Sequence, residues 1–372
     1  MKVNFNRTAL AEALGLVTSV VPTRTPKPIL RCVHIIAGDN EVRICATDLE
    51  AGINYLVREV QVAEPGQVIL PADRLAAIVR ESEDEVLSFE AEQGTCQIRG
   101  SDSRFTIYGQ QASQYPPVPG FDGEAAVEVG LESLQSAIGQ CLFATAKEST
   151  RYAINGVLWE IKGKKLSLVA TDGRRLARRR LNLAKEPQDW PAAEKSGRQV
   201  IVPAKTMSLL EKVGAAEKET VAIRLVDNQI LIRCGDVVVS SNLVEGTFPR
   251  YEDIIPRDYD KKLKLSTEAV LHAVRRAALL TSEESRGIRL SIDAEAIVFS
   301  GSAPETGEAQ INLPVKYGGA PIEIGFSPQF LIDVLRVMKS EDFELELGQP
   351  DRPGLIKSGA DFLYVLMPIN LG

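Results

Sequence analysis

Three pieces of this chain recur in the same order at a nearly constant spacing, and that repeat limits the fold more than any other feature. Phe5-Asn-Arg-Thr-Ala-Leu10-Ala-Glu-Ala-Leu14 has the pattern of Val129-Gly-Leu-Glu-Ser-Leu134-Gln-Ser-Ala-Ile138 and of Leu265-Ser-Thr-Glu-Ala-Val270-Leu-His-Ala-Val274. Each copy ends a strand, then places apolar residues five and nine positions on, the last two one helical turn apart. Val68-Ile-Leu-Pro71-Ala-Asp-Arg-Leu75 matches Val200-Ile-Val-Pro203-Ala-Lys-Thr-Met207, with a looser third copy at Ile324-Gly-Phe-Ser327-Pro-Gln-Phe-Leu331. Here a strand runs into a second helix, with proline expected in the helix's first turn. Cys45-Ala-Thr-Asp48 returns as Val169-Ala-Thr-Asp172. Val129 lies 124 residues after Phe5, Asp172 lies 124 after Asp48, and three such periods make 372 residues. The chain is a triplication.

Alternating apolar stretches such as Glu41–Thr47 and Lys165–Thr171 read as strands with one buried face. Short turns, Ala37-Gly-Asp-Asn40 and Lys162-Gly-Lys164, separate neighbouring strands and favour antiparallel hairpins. The expected class is α+β: three repeated domains, each with two helices packed on antiparallel sheet. Boundaries are expected in the proline-rich loops 114–120 and 248–256, giving domains 1–121, 122–252 and 253–372. Each is long enough to bury its own core.

Composition removes several function classes. Apolar residues make up 44% and charged residues 25%, so the chain can bury a core and is not largely disordered. No apolar run is long enough to cross a membrane as a helix, and Arg7 and Glu12 interrupt any leader-like start, so a cytoplasmic protein is expected. Cys32, Cys45, Cys96, Cys141 and Cys234 are odd in number and widely spaced, which suits reduced core thiols rather than disulfides or zinc. His34 sits in an apolar strand pattern and His272 in a helical one, a poor basis for a catalytic triad. No phosphate loop, dinucleotide loop or HExxH motif occurs, and no cofactor is expected. The net charge of −7 argues against a simple nucleic-acid binder unless the charges are segregated by face.

Ala170-Thr-Asp-Gly-Arg-Arg-Leu-Ala177, Leu243-Val-Glu-Gly-Thr-Phe-Pro-Arg-Tyr251, Arg286-Gly-Ile-Arg-Leu290 and Val365-Leu-Met-Pro-Ile369 resemble, in order and over the whole chain, the bacterial sliding clamp family, the β subunit of DNA polymerase III. The resemblance implies a head-to-tail homodimer that closes a ring of six domains, with sheets outside and helices lining a hole that duplex DNA threads. It implies a tether for polymerases without chemistry of its own. Expected partners are a second copy, double-stranded DNA, the DNA polymerase III α subunit and other polymerases, a clamp-loading ATPase, and mismatch-repair and related proteins.

Carried over residue by residue, the family's partner-peptide cleft falls on Thr171, Gly173, Arg174, Leu176, Pro249, Ile254, Val365, Met367, Pro368 and Ile369. Arg174 replaces a histidine common in the family, and Asp253 stands where an arginine can occur. The DNA-facing positions are Arg24 and Lys205, to which Arg275 and Arg276 add a basic pair, whereas Asp73, Glu148 and Ala204 depart from the family's DNA-facing chemistry. Ring closure falls on Arg74, Ile78, Arg104, Phe105 and Ile107 on one side and Leu279, Leu280, Glu305 and Glu308 on the other. Two other readings are open from the residues alone: an enzyme using Asp172 beside Arg174 and Arg175, and a protein-binding scaffold that does not encircle DNA.

Overall fold

A computed structural model describes residues 1–147, 153–184, 187, 190, 198–214, 219–281, 287–304 and 306–370. Glu148, Arg286 and Glu305 lie outside the described residues. The triplication appears as three first helices, α1 (Arg7–Val17), α3 (Leu131–Cys141) and α5 (Thr267–Ala278), and three second helices, α2 (Ala72–Glu81), α4 (Ala204–Leu210) and α6 (Pro328–Val337). The apolar positions of the repeated pattern, Leu10 and Leu14, Leu134 and Ile138, Val270 and Val274, are all buried. Asn6 and Ser266 cap α1 and α5 by accepting from the amides three residues on.

The second-helix prolines correct the sequence expectation. Only Pro328 occupies a first-turn position. Pro71 and Pro203 end the strands Gly66–Pro71 and Arg198–Pro203, and the helix begins one residue later. Both strands lie at the edge of their sheets, where a residue without an N–H leaves no ladder bond unmade.

Contacts divide the chain into two compact units, Met1–Gln135 with Leu183–Trp190 and Lys205–Leu243, and Ser136–Asn182 with Pro191–Ala204 and Val244–Gly372. The middle repeat is therefore shared between them. Each unit holds one eight-stranded antiparallel sheet that joins two repeats. In the first, Val237–Asn242 of repeat two pairs with Ala51–Val57 of repeat one, Val239 opposite Ile53. In the second, Arg175–Asn182 of repeat two pairs with Phe362–Leu366 of repeat three, Leu176 opposite Val365.

The rule is the same at both seams. The third strand after a first helix pairs with the last strand of the neighbouring repeat. Repeat one also carries a five-stranded sheet ending in Arg104–Tyr108, and repeat three a four-stranded sheet ending in Gly307–Pro314. These two edge strands are the remaining pair of the same kind. Among the described residues, the last strand of repeat one has only Thr95–Arg99 as a ladder partner, and the third strand of repeat three only Ala296–Ala303.

Gly52 shows how closely the first seam is packed. A Cβ there would stand 2.7 Å from Val118 Cγ1 and 2.9 Å from Ser240 Oγ. Gly52→Ala is expected to cost about 1–3 kcal/mol, because both neighbours sit on strand or loop backbone with little room to retreat. A lowered urea midpoint with an unchanged slope is the outcome that checks this.

Candidate functional site

The recurring Asp marks a turn, and the structure shows why it survived duplication. Asp48 Oδ1 accepts from the amides of Glu50 and Ala51, at 2.9 and 2.7 Å. Asp172 Oδ1 accepts from Arg174 and Arg175, at 2.9 and 3.0 Å. Asp293 Oδ1 accepts from Glu295 and Ala296, at 2.9 and 2.8 Å, a third copy that sequence reading missed because no Ala-Thr precedes it. Thr47 and Thr171 close the first two turns through the carbonyls of Ala51 and Arg175. Leu49 and Gly173 occupy the same left-handed position, φ 80° and 86°. The aspartate is thus a turn former whose side chain replaces backbone bonding, which removes the ground for reading Asp172 as a catalytic carboxylate.

In the second copy this turn ends one wall of the proposed cleft. Arg175 Nε meets Asp172 Oδ2 at 3.0 Å, its terminal nitrogens reach Asp333 Oδ2 at 2.7 Å and the Phe143 carbonyl at 2.8 Å, and its plane lies 4.3 Å from the Phe330 ring centre. A bidentate cation stacked on an aromatic ring suits arginine and not lysine. The turn is thereby tied to α6.

The strand pairing brings Leu176 and Val365 of the expected cleft together. Leu176 and Val365, directly opposite each other, are buried in an apolar cluster with Leu158, Val169, Phe248 and Tyr251. Thr171 is buried opposite Leu176 on the neighbouring strand, while Gly173 and Arg174 are exposed at the turn. The Met367 amide donates to the Arg174 carbonyl at 2.9 Å, just past the end of the last strand. Met367 is 38% exposed and Ile254 40% exposed, so neither is spent on the core. Pro249 is half-buried within the segment that Phe248 and Tyr251 anchor. Pro368 and Ile369 turn off to line a cavity of about 540 Å³ with Arg289, Ile324 and Pro350, and the Ile369 amide donates to the Gly325 carbonyl.

A buried carboxylate supports the opposite wall. Glu160 accepts from the Tyr251 hydroxyl at 2.6 Å and from Gln199 at 2.6 Å, with Lys162 Nζ 3.2 Å away. Burial first, and then the Glu160 carboxylate, push the Tyr251 phenol above its ordinary range. Lys162 also holds Glu252 at 2.9 Å, so the turn that leads into Ile254 is fastened at two residues.

The matching place at the first seam is built from the same backbone and different side chains. Gly52 and Ser240 stand where Leu176 and Val365 stand, and the Asn242 amide donates to Glu50 as Met367 donates to Arg174. Val118 packs over Gly52. An apolar floor with an exposed methionine thus exists at one seam only.

The basic candidates are exposed. Arg24 lies in the segment after α1. Arg275 and Arg276 extend an exposed stripe on α5 with Glu268 and His272, and cations in a last helical turn suit the helix dipole. Lys205 is not free. Its ammonium pairs with Asp48 Oδ2 and reaches the Val20 carbonyl at 3.3 Å.

Of the ring-closure candidates, Arg74, Arg104, Phe105, Leu279 and Glu308 are exposed, and Ile78 and Leu280 half-buried. Ile107, on the same edge strand as the exposed Phe105 and Tyr108, is 7% exposed in the single chain. Tyr108, 78% exposed, is the apolar surface on that strand that sequence reading missed. Strand alternation alone left the exposed face ambiguous there, because both faces carry apolar residues.

Arg175→Ala is expected to destabilise the chain by about 3 kcal/mol, since it strands two carboxylates and unstacks two phenylalanines. Adding Asp172→Asn and Asp333→Asn should restore part of that loss in urea unfolding.

Comparison with known proteins bears on the whole chain. Residues 1–119, 128–250 and 252–370 match the N-terminal, central and C-terminal domains of the DNA polymerase III beta subunit. The beta sliding clamp of Pseudomonas putida is 32% identical over 374 residues, covering all of both chains, and that of Caulobacter vibrioides 32% identical over 382 residues, again covering all of both. The crystal structure of the Pseudomonas aeruginosa DNA polymerase sliding clamp with ligand aligns over all of both chains with a TM-score of 0.90 and 31% identity. That of Bacillus subtilis aligns over all of this chain and 99% of its own, with a TM-score of 0.92 and 27% identity. With three repeats, two like seams and relatives that match from end to end, the chain belongs to the DNA polymerase III beta subunit family.

Proposed function

We propose that this chain is a DNA sliding clamp: two copies close a ring around duplex DNA and tether a polymerase to its template. The observation that carries the reading is the unfinished third seam. Two seams of one kind are made within the chain, and the two halves of a third, Arg104–Tyr108 and Gly307–Pro314, are left at sheet edges. A second copy, placed head-to-tail, supplies each half with its partner and closes the assembly at two chains. Phe105, Tyr108, Leu279 and Leu280 give the joint an apolar centre. Arg74 and Arg104 face Glu308 across its rim.

Arg24, Lys205, Arg275 and Arg276 serve as phosphate contacts. Such contacts carry no base information, so they hold DNA without stopping at any sequence. The cleft around Leu176, Val365 and Met367 receives short segments of the DNA polymerase III α subunit, other polymerases, the clamp-loading ATPase and mismatch-repair proteins. Methionine suits a surface that several partners must share. Ring opening belongs to that ATPase, and the chain itself carries out no reaction.

The test is retention after loading onto nicked circular DNA, compared with the same DNA linearised. Retention on the circle with loss from the linear form supports the reading. Equal loss from both leaves a protein-binding scaffold. Leu279→Ala with Leu280→Ala is expected to yield monomers at low micromolar concentration by sedimentation, and a variant still dimeric would remove those residues from the seam. Met367→Ala is expected to weaken a fluorescent peptide carrying a glutamine and two apolar side chains by about tenfold. Stability should hold, because Met367 is not a core residue.

A further inference from the structure

Lys205 has a competitor for the phosphate it is proposed to touch. Its ammonium, on the first turn of α4, pairs with Asp48 Oδ2, and the remaining reach goes to the Val20 carbonyl. Asp48 is held in place independently of the lysine, because its other oxygen accepts the Glu50 and Ala51 amides. The carboxylate side chain is 12% exposed and the lysine 43% exposed. The anion is thus the fixed member of the pair, and the cation is the member that can move.

We infer that Asp48 is a positioning residue for DNA contact: it parks Lys205 and makes each phosphate contact by that lysine an exchange between two anions rather than a capture. The inference rests on the proposed clamp reading and deepens it. A phosphate reaching Lys205 displaces Asp48 Oδ2, and the carboxylate takes the lysine back when the phosphate moves on. The free energy of the contact is then the difference between two ion pairs, not the sum of one. That difference is small, which suits a ring that must translate along DNA.

The sequence places the same device differently in the second copy. There the turn aspartate, Asp172, holds Arg175 of its own turn through Oδ2, and the arginine is locked by three further partners. In the third copy, the Asp293 carboxylate accepts from its own turn's amides. Among the described residues, only the first copy pairs the turn aspartate with an exposed cation from another repeat.

Burial alone would raise the Asp48 carboxyl, but the Ala51 amide and then Lys205 outweigh it and leave the group below the ordinary aspartate range. Asp48 therefore stays ionised wherever DNA binding would be measured.

Asp48→Asn separates the two jobs of this residue. The amide keeps an oxygen for the turn and loses the anion that faces Lys205. With a short fluorescein-labelled duplex across a salt series, Asp48→Asn is expected to bind roughly two- to fivefold tighter than wild type, the strength of one exposed ion pair. Its salt dependence should steepen by up to about 0.9 in the log–log slope, as one more counterion is released. Lys205→Gln should flatten the slope, and Asp48→Asn added to it should change nothing further. In parallel, carbon NMR should show the Asp48 carboxyl titrating higher in Lys205→Gln than in wild type.

A wild type that binds the duplex, with Asp48→Asn equal to it in affinity and slope, overturns the inference and leaves the clamp reading standing. A matching loss of stability in Asp48→Asn and Lys205→Gln, with no change of slope, also overturns it, since the pair would then be structural only. A wild type that neither binds the duplex nor is retained on circular DNA overturns the clamp reading and the inference with it.

Discussion

The pairing of one repeat's last strand with the third strand of its neighbour is the interaction on which the rest depends. It is made of main-chain hydrogen bonds, so it needs no particular side chain and survives divergence of the repeats. At both internal seams it holds with the same register logic, although Leu176 and Val365 face each other at one and Gly52 and Ser240 at the other. A chain that repeats such a unit three times can satisfy two seams by itself. The third must be left to another molecule, or left bare. Oligomerisation in this architecture is a consequence of counting strands rather than an added feature.

Much of this was legible before any coordinates. The helices followed from apolar spacing, and Leu10 and Leu14, like Val270 and Val274, read as sharing one helix face, are buried because a helix has one period and one buried stripe. The edges of the repeats were harder. Proline signals misled at Pro71 and Pro203, where edge-strand tolerance for a missing N–H outweighed the preference for a first helical turn. The exposed Tyr108 was missed, because alternation fixes which residues share a face but not which face meets solvent. Ion pairs between repeats, such as Asp48 with Lys205 and Arg175 with Asp333, join residues more than 150 positions apart, and nothing local in the sequence announces them.

Duplication followed by divergence also explains why one seam carries the proposed docking surface and the other does not. The aspartate turn, its threonine clasp and the amide that docks onto it are common to both. What differs is a handful of side chains. Val118 fills the space above Gly52, whereas Leu176 and Val365 form a floor beside an exposed Met367. Backbone geometry was inherited, and the surfaces of the two seams were set apart by volume and polarity at a few positions. The buried Glu160, Tyr251 and Gln199 cluster extends the argument, since it fixes the loop before Ile254 without touching the surface that a partner would meet.

An open sheet edge is a hazard as well as a binding site, because any extended chain can pair with it. Charge bears on which partner succeeds. Arg104 lies on one open edge strand, and Glu308 on the other. Two copies meeting through the same edge would bring like charges together, which disfavours that pairing, while the unlike edges attract. Main-chain hydrogen bonds supply adhesion without identity, and the charged rim supplies identity without much adhesion. Dividing the two tasks keeps the joint selective for a head-to-tail partner. Arg104 and Glu308 are exposed in the single chain, and surface ion pairs are weak by themselves, so a joint rimmed by them can be opened without removing a buried ion from its partner.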